Sequence, residues 1–248
     1  MHAQIANPAN ARCARVHAMD SVTTASPADL VASQPLLIDV VSDVVCPWCY
    51  IGKRKLEAAL GELRRAEPGL DARVRWHPFQ LNPELPASGI PRSDYLEAKF
   101  GSGSRAAEVY ARVRAVGAEV GIAFAFERIE FQPNTLDAHR LIAWAQQRGD
   151  AAALVERMFQ RYFVEGGRVG YSDELVASAA AIGLPGEEAR ALLASDELRD
   201  EVEAEDREAH EAGIAGVPFF IFNGRTAVAG AHDPPALLEA IAAARVAP

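Results

Sequence analysis

The sequence predicts an α/β fold in which one mixed β-sheet with flanking helices is interrupted by a helical insertion. Three observations predict it. Residues 36–79 have the pattern of a strand, a helix and a strand, residues 91 to about 212 carry helical patterns, and β signals return at Val217. Because the two outer parts enclose the helical block along the chain, we expect them to form a single sheet with the helices inserted into it.

The first part begins with a nearly continuous β-branched run, LLIDVVSDVV at 36–45, which indicates a buried strand. The segment KRKLEAALGELRRA that follows places apolar residues on one helical face and charges on the other, and Pro47 suits the first turn of such a helix. Apolar and polar residues then alternate in DARVRWHPF at 71–79. Residues 36–79 therefore predict a βαβ unit.

The middle of the chain carries only helical patterns. Helices are predicted over 92–100, 104–120, 135–148, 150–164, 172–182 and 195–212. Asn134 and Thr135 are expected to cap the third of these helices, and Ser195 is expected to be the N-cap of the last one, which ends at Gly213. His139 on the third helix is expected to pack or to lie at the surface rather than to bind a ligand.

The last part predicts a β-hairpin and a helix. An apolar run from Val217 to Phe222 is followed by Asn223-Gly224, a strong two-residue turn, and by a return strand over 225–229. An amphipathic helix opened by two prolines closes the chain. The predicted divisions are a disordered tail over 1–35, a first sheet part over 36–90, the helical insertion over 91–194 and a second sheet part over 195–248.

Composition and charge exclude several classes of protein. The chain has 248 residues, half of them hydrophobic, and a formal net charge of −9 without any basic run, which argues against nucleic acid and anionic membranes as partners. No apolar stretch is long enough to cross a membrane, and polar residues interrupt the N-terminal tail, so we predict no secretory signal. The tail is interpreted as disordered, or as upstream of a true start at Met19, with a transit peptide the less favoured reading. The odd number of cysteines argues against a structural disulfide framework, and we expect a cytoplasmic location.

The motif Cys46-Pro-Trp-Cys49 lies between a predicted strand and a predicted helix. The free N–H groups and the dipole at a helix N-terminus stabilise a thiolate, and the thiolate is the species that attacks a disulfide. A three-residue offset on a helix brings the two sulfur atoms within bonding distance. The motif therefore predicts a redox pair, with Cys46 the exposed nucleophile and Cys49 the more buried resolving cysteine.

Other interpretations of the cysteines are less favoured. Both could be small core side chains, or half of a zinc site, but structural zinc needs four ligands. The only other cysteine is Cys13 in the tail, and the histidines show no paired ligand spacing, so we expect no metal. A c-type haem is excluded because Tyr50 stands where the haem motif has histidine.

Pro218 precedes the apolar strand of the last part. A proline at the first residue of a strand is tolerated, and a cis peptide is plausible there. Taken alone it is an ordinary strand opening. Taken with the cysteine motif, it predicts a cis-proline loop beside the redox pair, whose preceding backbone pairs with a bound peptide or with glutathione.

Residues 37–60, LIDVVSDVVCPWCYIGKRKLEAAL, resemble the DsbA-like thioredoxin family, and most closely its FrnE-type branch. Further matching segments are Trp76-His-Pro-Phe-Gln-Leu-Asn-Pro83, Gln132-Pro-Asn-Thr135 with Ala138-His139-Arg140, Tyr162-Phe163, Gly216-Val-Pro-Phe-Phe220 and Ala229-Gly-Ala231. The resemblance covers roughly residues 36–244. It implies a thioredoxin-like fold with a helical insertion domain, the two cysteine roles given above, and a cis peptide at Pro218.

The site predicted from motif and resemblance has two groups of residues. The catalytic residues are Cys46, Cys49 and Pro218, and the substrate-binding residues are Trp48, Val217, Asn134 and Phe79, with Phe219 as a further part of an apolar rim. No bound cofactor is expected, and glutathione is a candidate co-substrate beside protein or small-molecule thiols and disulfides. The oligomeric state stays open, with a dimer among the alternatives.

The leading hypothesis is a thiol–disulfide oxidoreductase or isomerase that uses Cys46 and Cys49. The alternative is a glutathione-dependent isomerase or transferase. The superfamily contains 2-hydroxychromene-2-carboxylate isomerases and kappa-class glutathione transferases, which carry serine where Cys46 stands. A non-catalytic chaperone or binding module on the same fold is the third hypothesis. The sequence does not set the direction of the redox reaction, its potential or its pathway.

Overall fold

The computed structural model of the chain describes residues 35–149 and 151–246. The tail predicted over 1–35 lies outside the described residues except for Pro35, and so does Cys13. Within the described part, no helix is long and apolar enough to cross a membrane.

The described residues form six strands, nine α-helices and one short 3-10 helix, Phe126–Arg128. The strands are β1 (Leu36–Ser42), β2 (Ala72–Pro78), β3 (Ile90–Pro91), β4 (Phe131–Gln132), β5 (Phe219–Phe222) and β6 (Thr226–Ala229). The helices are α1 (Pro47–Ala66), α2 (Arg92–Phe100), α3 (Gly103–Glu119), α4 (Leu136–Gln146), α5 (Ala152–Phe163), α6 (Ser172–Ala181), α7 (Gly186–Leu193), α8 (Arg199–Glu211) and α9 (Pro234–Arg245).

The main sheet has four strands in the order β2-β1-β5-β6. β1 pairs parallel to β2 and antiparallel to β5, and β5 and β6 form an antiparallel hairpin. Asn223 and Gly224 in the hairpin turn both have positive φ, 50° and 64°, as a type I′ turn requires. The predicted βαβ unit, the hairpin and their union in one mixed sheet are therefore confirmed, and the helices α2–α8 lie between the two halves of the sheet along the chain.

The central strand β1 is buried along nearly its whole length, because helices cover the sheet. α9 packs on α1, β5 and β6, while α4 and α8 pack against β2. At the outer edge of β2, the Gln146 side chain accepts from the backbone N–H of Trp76 at 2.6 Å and donates to its carbonyl at 2.9 Å. This side chain thus hydrogen-bonds an edge strand as a neighbouring strand would.

A charged cluster joins α1, which begins at the cysteine motif, to α5 of the helical part. The Glu156 carboxylate accepts from Tyr50 at 2.8 Å, from Lys53 at 2.8 Å and from Arg54 at 2.5 Å. Lys53 is buried, so its charge needs this partner. Burial, followed by the hydrogen bond to Glu156, raises the pKa of Tyr50 to about 12, which keeps that hydroxyl protonated.

Two predicted boundaries were wrong. β1 ends at Ser42, because Val44 and Val45 turn the chain before Cys46, whose N–H donates to the Asp43 carbonyl at 3.0 Å. The last insertion helix begins at Arg199, and Ser195 is not its N-cap, because the Ser195 hydroxyl instead donates to the carbonyl of Leu192 at the end of α7.

The structure also contains elements that the sequence patterns did not predict. These are the short helix α7 and the two-residue strands β3 and β4, which pair antiparallel. Of the expected caps of α4, the Asn134 side chain accepts from the N–H of Leu136 at 2.9 Å, whereas the hydroxyl of Thr135 makes no capping bond. Gly213 follows α8 with φ 83°, in the position of a helix C-terminal glycine. The predicted limits of the insertion, 91–194, stay a prediction.

Candidate functional site

The cysteine motif opens α1 directly after the turn that follows β1. Cys46 is the N-cap residue, with extended backbone angles of φ −93° and ψ 112°, and Pro47 is the first helical residue. The Cys46 carbonyl accepts from the N–H of Cys49 at 3.0 Å and from that of Tyr50 at 3.3 Å. The predicted placement of the motif at a helix N-terminus is therefore confirmed, and the dipole of a 20-residue helix points its positive end at the first sulfur.

Both thiols are unpaired and buried, Cys46 at 5 % and Cys49 at 1 % exposure. Cys46 is thus less exposed than expected, because the carbonyl of Val217 lies 3.4 Å from its Sγ and covers it. Burial raises the pKa of Cys49 well above its usual value, and the neighbouring Cys46 raises it further, although the Ser42 hydroxyl and the backbone of Asp43 oppose this. Cys49 therefore stays a thiol at neutral pH, which leaves Cys46 as the candidate for the attacking thiolate.

The proline loop lies against this pair from the other half of the sheet. The Val217–Pro218 peptide is cis, as expected, and the Pro218 carbonyl accepts from the N–H of Gly230 at 2.8 Å. The ring of Pro218 lies on α1 at Gly52, where an added Cβ would come within 2.8 Å of Pro218 Cγ. Only glycine at this position lets the loop approach the cysteine helix so closely.

A groove of about 510 Å³ runs beside the proline loop. Its walls are Trp48, the segment 213–219 apart from Ile214, and the segment 229–231. Trp48 is 36 % exposed, a high value for so large an apolar side chain, and every described residue that lines the groove is uncharged. Lys55 holds one wall from behind, donating to the carbonyl of Ala231 at 3.1 Å and to Asp233 at 2.6 Å. The groove thus offers an apolar, backbone-rich surface next to Cys46.

The structure brings together some of the predicted substrate-binding residues and separates others. Trp48, Val217 and Phe219 line the groove. Phe79 does not: it is buried and stacks on His210, with ring centroids 4.1 Å apart. Asn134 also lies outside the groove. Their predicted roles in substrate binding remain predictions.

The Asn134 amide is engaged within the protein. It donates to the carbonyls of Pro83 at 3.2 Å and Leu85 at 2.9 Å, and its oxygen accepts from Gln80 at 3.3 Å. These bonds fix the segment after β2 to the start of α4.

Sequence patterns gave no signal for a buried arginine in the helical part. Arg92 of α2 is buried and donates to the Tyr110 hydroxyl at 2.5 Å and to the Gln132 side chain. Burial raises the pKa of Tyr110, although the positive charge of Arg92 opposes this shift. A buried arginine with neutral partners depends on side chains from distant segments, which spacing does not reveal.

In residues 35–149 and 151–246, no group of three or more histidine, cysteine or acidic side chains is arranged to hold a metal ion.

Comparison with known families agrees with this arrangement. The model of the DSBA-like thioredoxin domain matches residues 37–242. The chain belongs to this family. The match includes both halves of the sheet and the helices between them, so the fold is a DsbA-like thioredoxin fold with a helical insertion.

Individual relatives extend the comparison. The chain is similar to a probable DsbA oxidoreductase from Streptomyces coelicolor, whose crystal structure matches with a TM-score of 0.75 and 32 % identity over 84 % of this chain and 89 % of that one. It is 28 % identical to the uncharacterized protein YwbO of Bacillus subtilis, over 82 % of this chain and 94 % of that protein. A 2-hydroxychromene-2-carboxylate isomerase structure matches with a TM-score of 0.58 at 15 % identity, over 84 % of this chain and 93 % of that one, which shows a shared fold alone. The chain is accordingly a DsbA-like protein.

Proposed function

We propose that the protein is a thiol–disulfide oxidoreductase that works through a mixed disulfide at Cys46. The observation that supports it best is the asymmetry of the pair: Cys46 lies at the helix N-terminus beside the Val217 carbonyl, whereas the pKa of the deeper Cys49 is raised by burial. Such an asymmetry assigns attack to one sulfur and resolution to the other.

In the proposed reaction, the Cys46 thiolate attacks one sulfur of a substrate disulfide. The substrate S–S bond breaks, a mixed disulfide forms, and the other substrate sulfur leaves as a thiolate. Cys49 then loses its proton and attacks Cys46 Sγ, which forms the Cys46–Cys49 bond and releases the second substrate thiol. The substrate gains two electrons and the pair loses two. The reverse sequence oxidises a dithiol, and the potential of the pair against its surroundings decides the direction.

The groove indicates how a substrate is held. A peptide lying along the proline loop has Trp48 and Phe219 as apolar contacts and the backbone around Val217 for hydrogen bonds. Its uncharged lining favours a peptide segment without charged side chains next to the disulfide. Glutathione is proposed as a co-substrate and the cytoplasm as the compartment. Both proposals rest on the sequence expectations given above.

The test is a titration of the pair against glutathione redox buffers, monitored by Trp48 fluorescence. A reversible two-electron transition is expected, and its loss in Cys46→Ala and in Cys49→Ala is the matched control. Cys49→Ala should in addition accumulate a stable mixed disulfide with a peptide substrate, because the resolving thiol is absent. Full thiol exchange by Cys46→Ala would show that the proposal is wrong.

The shared fold of the 2-hydroxychromene-2-carboxylate isomerase keeps one alternative under test, a glutathione-dependent isomerase or transferase. It predicts no redox transition with glutathione binding intact, and turnover of a chromene carboxylate that survives Cys46→Ser. The oxidoreductase proposal predicts that Cys46→Ser abolishes exchange.

A further inference from the structure

Cys46 has to be uncovered before it can react with a substrate. The residue is 5 % exposed, and the Val217 carbonyl lies 3.4 Å from its Sγ. A substrate sulfur has to come within bonding distance of this atom, about 2 Å. The segment that connects α8 to β5 and carries Val217 therefore has to move away from the thiol.

The two ends of this segment are held differently. Its far end, Pro218, leads into β5, which is paired on both sides, with β1 and with β6. At its near end, the N–H groups of Ala212, Gly213 and Ile214 donate to carbonyls of α8, at 2.8, 3.0 and 3.2 Å. A Cβ added at Gly216 would meet no atom within 4 Å, so nothing packs against the backbone there. The first half of the segment is thus bound to move with α8.

The helix α8 is itself weakly anchored. Of its 13 residues, only Val202 and Asp206 are buried. Few buried apolar contacts are typical of elements that open at a low free-energy cost. The polar contacts of α8 with the rest of the protein therefore have a large influence on how often it moves.

Two of these polar contacts join α8 to the end of β2. Glu205 Oε2 lies 3.6 Å from His77 Nδ1, and the Asp206 carboxylate accepts from the N–H of Gln80 at 2.6 Å. We refer to this pair of contacts as the α8 latch. The Asp206 contact uses a backbone donor, whereas the Glu205 contact depends on whether the imidazole carries a proton.

The acidic side chains around His77 outnumber the basic ones. The charged and titratable groups that face it are Asp39 of β1, Arg75 of β2, Glu201 and Glu205 of α8, and His139 of α4 across the cavity between β2, α4 and α8. The carboxylates of Glu205 and Asp39 raise the pKa of His77, although burial opposes this. Opening the latch separates His77 from Glu205 and leaves it beside Asp39 in the sheet. The imidazole therefore binds its proton more tightly when the latch is closed, and protonation in turn favours the closed latch.

We propose that the α8 latch is a pH-sensitive control of access to Cys46, held closed when His77 is protonated and opening more often when His77 is neutral. When it opens, α8 and the segment after it move together, and the Val217 carbonyl leaves the thiol. This regulation rests on the proposed function in taking Cys46 as the reacting thiol.

The test measures the rate at which iodoacetamide alkylates Cys46 in the reduced chain between about pH 5 and 8. Trypsin cuts after Arg15 and so separates Cys13 from the pair, and fragmentation of the peptide distinguishes Cys46 from Cys49. At each pH the rate for His77→Gln is divided by the wild-type rate, so that the thiolate fraction of Cys46 cancels. The ratio should be about two- to fivefold at the acidic end, as expected for a partly exposed ion pair. It should fall towards one as the pH rises and the wild type loses its proton.

Further variants separate the latch from a general effect of charge. Glu205→Gln should give the same ratio as His77→Gln, and the double variant should add nothing, because both changes remove one contact. Glu208→Gln removes an exposed acid one turn further along α8 and should behave like the wild type. In ¹⁵N spectra, the amide signals of Gly216 and Val217 should titrate with the His77 ring in the wild type and stay constant in His77→Gln.

Three results would each overturn the proposal: a ratio that does not change with pH, an equal effect of Glu208→Gln, or wild-type amide signals that do not follow His77. Alkylation needs a thiol at Cys46 and no exchange reaction. Failure of the proposed redox function would therefore leave this measurement unchanged, and failure of the latch would leave the redox function standing.

Discussion

Gly52 provides a quantitative test of how the cysteine helix and the proline loop fit together. It lies buried in α1, and a Cβ added there would come within 2.8 Å of Pro218 Cγ and 3.1 Å of Phe220 Cζ. Atoms cannot pack at the first of these distances, so Gly52→Ala has to push the loop away from the helix or bend the helix. The Val217 carbonyl would then move relative to Cys46 Sγ, which it now contacts at 3.4 Å.

The size of the effect follows from two opposing contributions. Overpacking of a well-packed core costs about 1–3 kcal/mol. Replacing glycine by alanine inside a helix gains about 1 kcal/mol. Gly52→Ala should therefore lower the free energy of unfolding by up to about 2 kcal/mol. Gly61→Ala in the same helix is the matched control, because its Cβ would meet only the flexible end of Arg65 at 3.7 Å, and it should stabilise by about 0.5–1 kcal/mol.

Urea unfolding followed by far-ultraviolet circular dichroism measures the stability of both variants, and a peptide-disulfide exchange assay measures their activity. Gly52→Ala should lose stability and exchange rate together, whereas Gly61→Ala should keep the wild-type rate. If Gly52→Ala were as stable as Gly61→Ala and exchanged at the wild-type rate, the close packing of the loop on α1 would have no energetic consequence and the reasoning would be refuted.

Three further predictions follow from other contacts. The neighbouring carboxylates of Glu205 and Asp39 raise the pKa of His77. The stabilisation from this group should therefore be fully present below pH 6.5 and be lost as the pH rises through the raised value, and His77→Gln should remove this dependence from unfolding curves measured across that range. The fully buried Arg140 donates to one carbonyl in the last turn of α7 and to two carbonyls after that helix, so Arg140→Met should lower the free energy of unfolding by about 3 kcal/mol or more, measured by urea unfolding with Arg140→Lys as the partial rescue. Lys55→Met removes the hydrogen bonds to Asp233 and to the Ala231 carbonyl in the groove wall. In steady-state kinetics with a peptide disulfide, KM should therefore rise by a larger factor than kcat falls. An unchanged KM would mean that the wall holds its position without this lysine.

Much of the fold could be predicted because its signals are local. Three of these signals lie within a few residues each: the β-branched run of β1, the alternation of β2 and the Asn223-Gly224 turn. The structure contains both strands and the turn in these segments. The start of α8 was mispredicted because Ser195 satisfies a carbonyl of the preceding helix instead, and Leu198 then takes left-handed backbone angles before Arg199. The end of α7 and the start of α8 thus compete for the same serine, and the residue pattern of α8 alone does not show this.

Short elements escaped for different reasons. α7 did carry a signal, since Pro185 precedes two acidic residues of the first turn and Ala189, Leu192 and Leu193 share its buried face. β3 and β4 have two residues each, which is fewer than any periodicity needs. These two strands form because they pair with one another, and sequence patterns do not predict pairing between segments that are distant along the chain.

The candidate site divides in the same way. The cysteine turn was predictable because motif, strand and helix are contiguous, and Pro218 because a proline opening an apolar strand is conspicuous. The burial of Cys46 was not predictable, since the Val217 carbonyl that covers it comes from the other half of the sheet.

The pairing of β1 with β5 has a consequence for biosynthesis. The strand before the cysteines and the strand after the proline loop are neighbours in the sheet, yet every helix from α2 to α8 is translated between them. On a ribosome, the βαβ unit emerges with one side of its central strand unpaired, and Cys46 is without its covering loop until the hairpin follows. The nascent chain therefore passes through a period in which the Cys46 thiol and an open strand edge are exposed together. Chain growth, rather than chemistry, first decides when this thiol becomes protected from its surroundings.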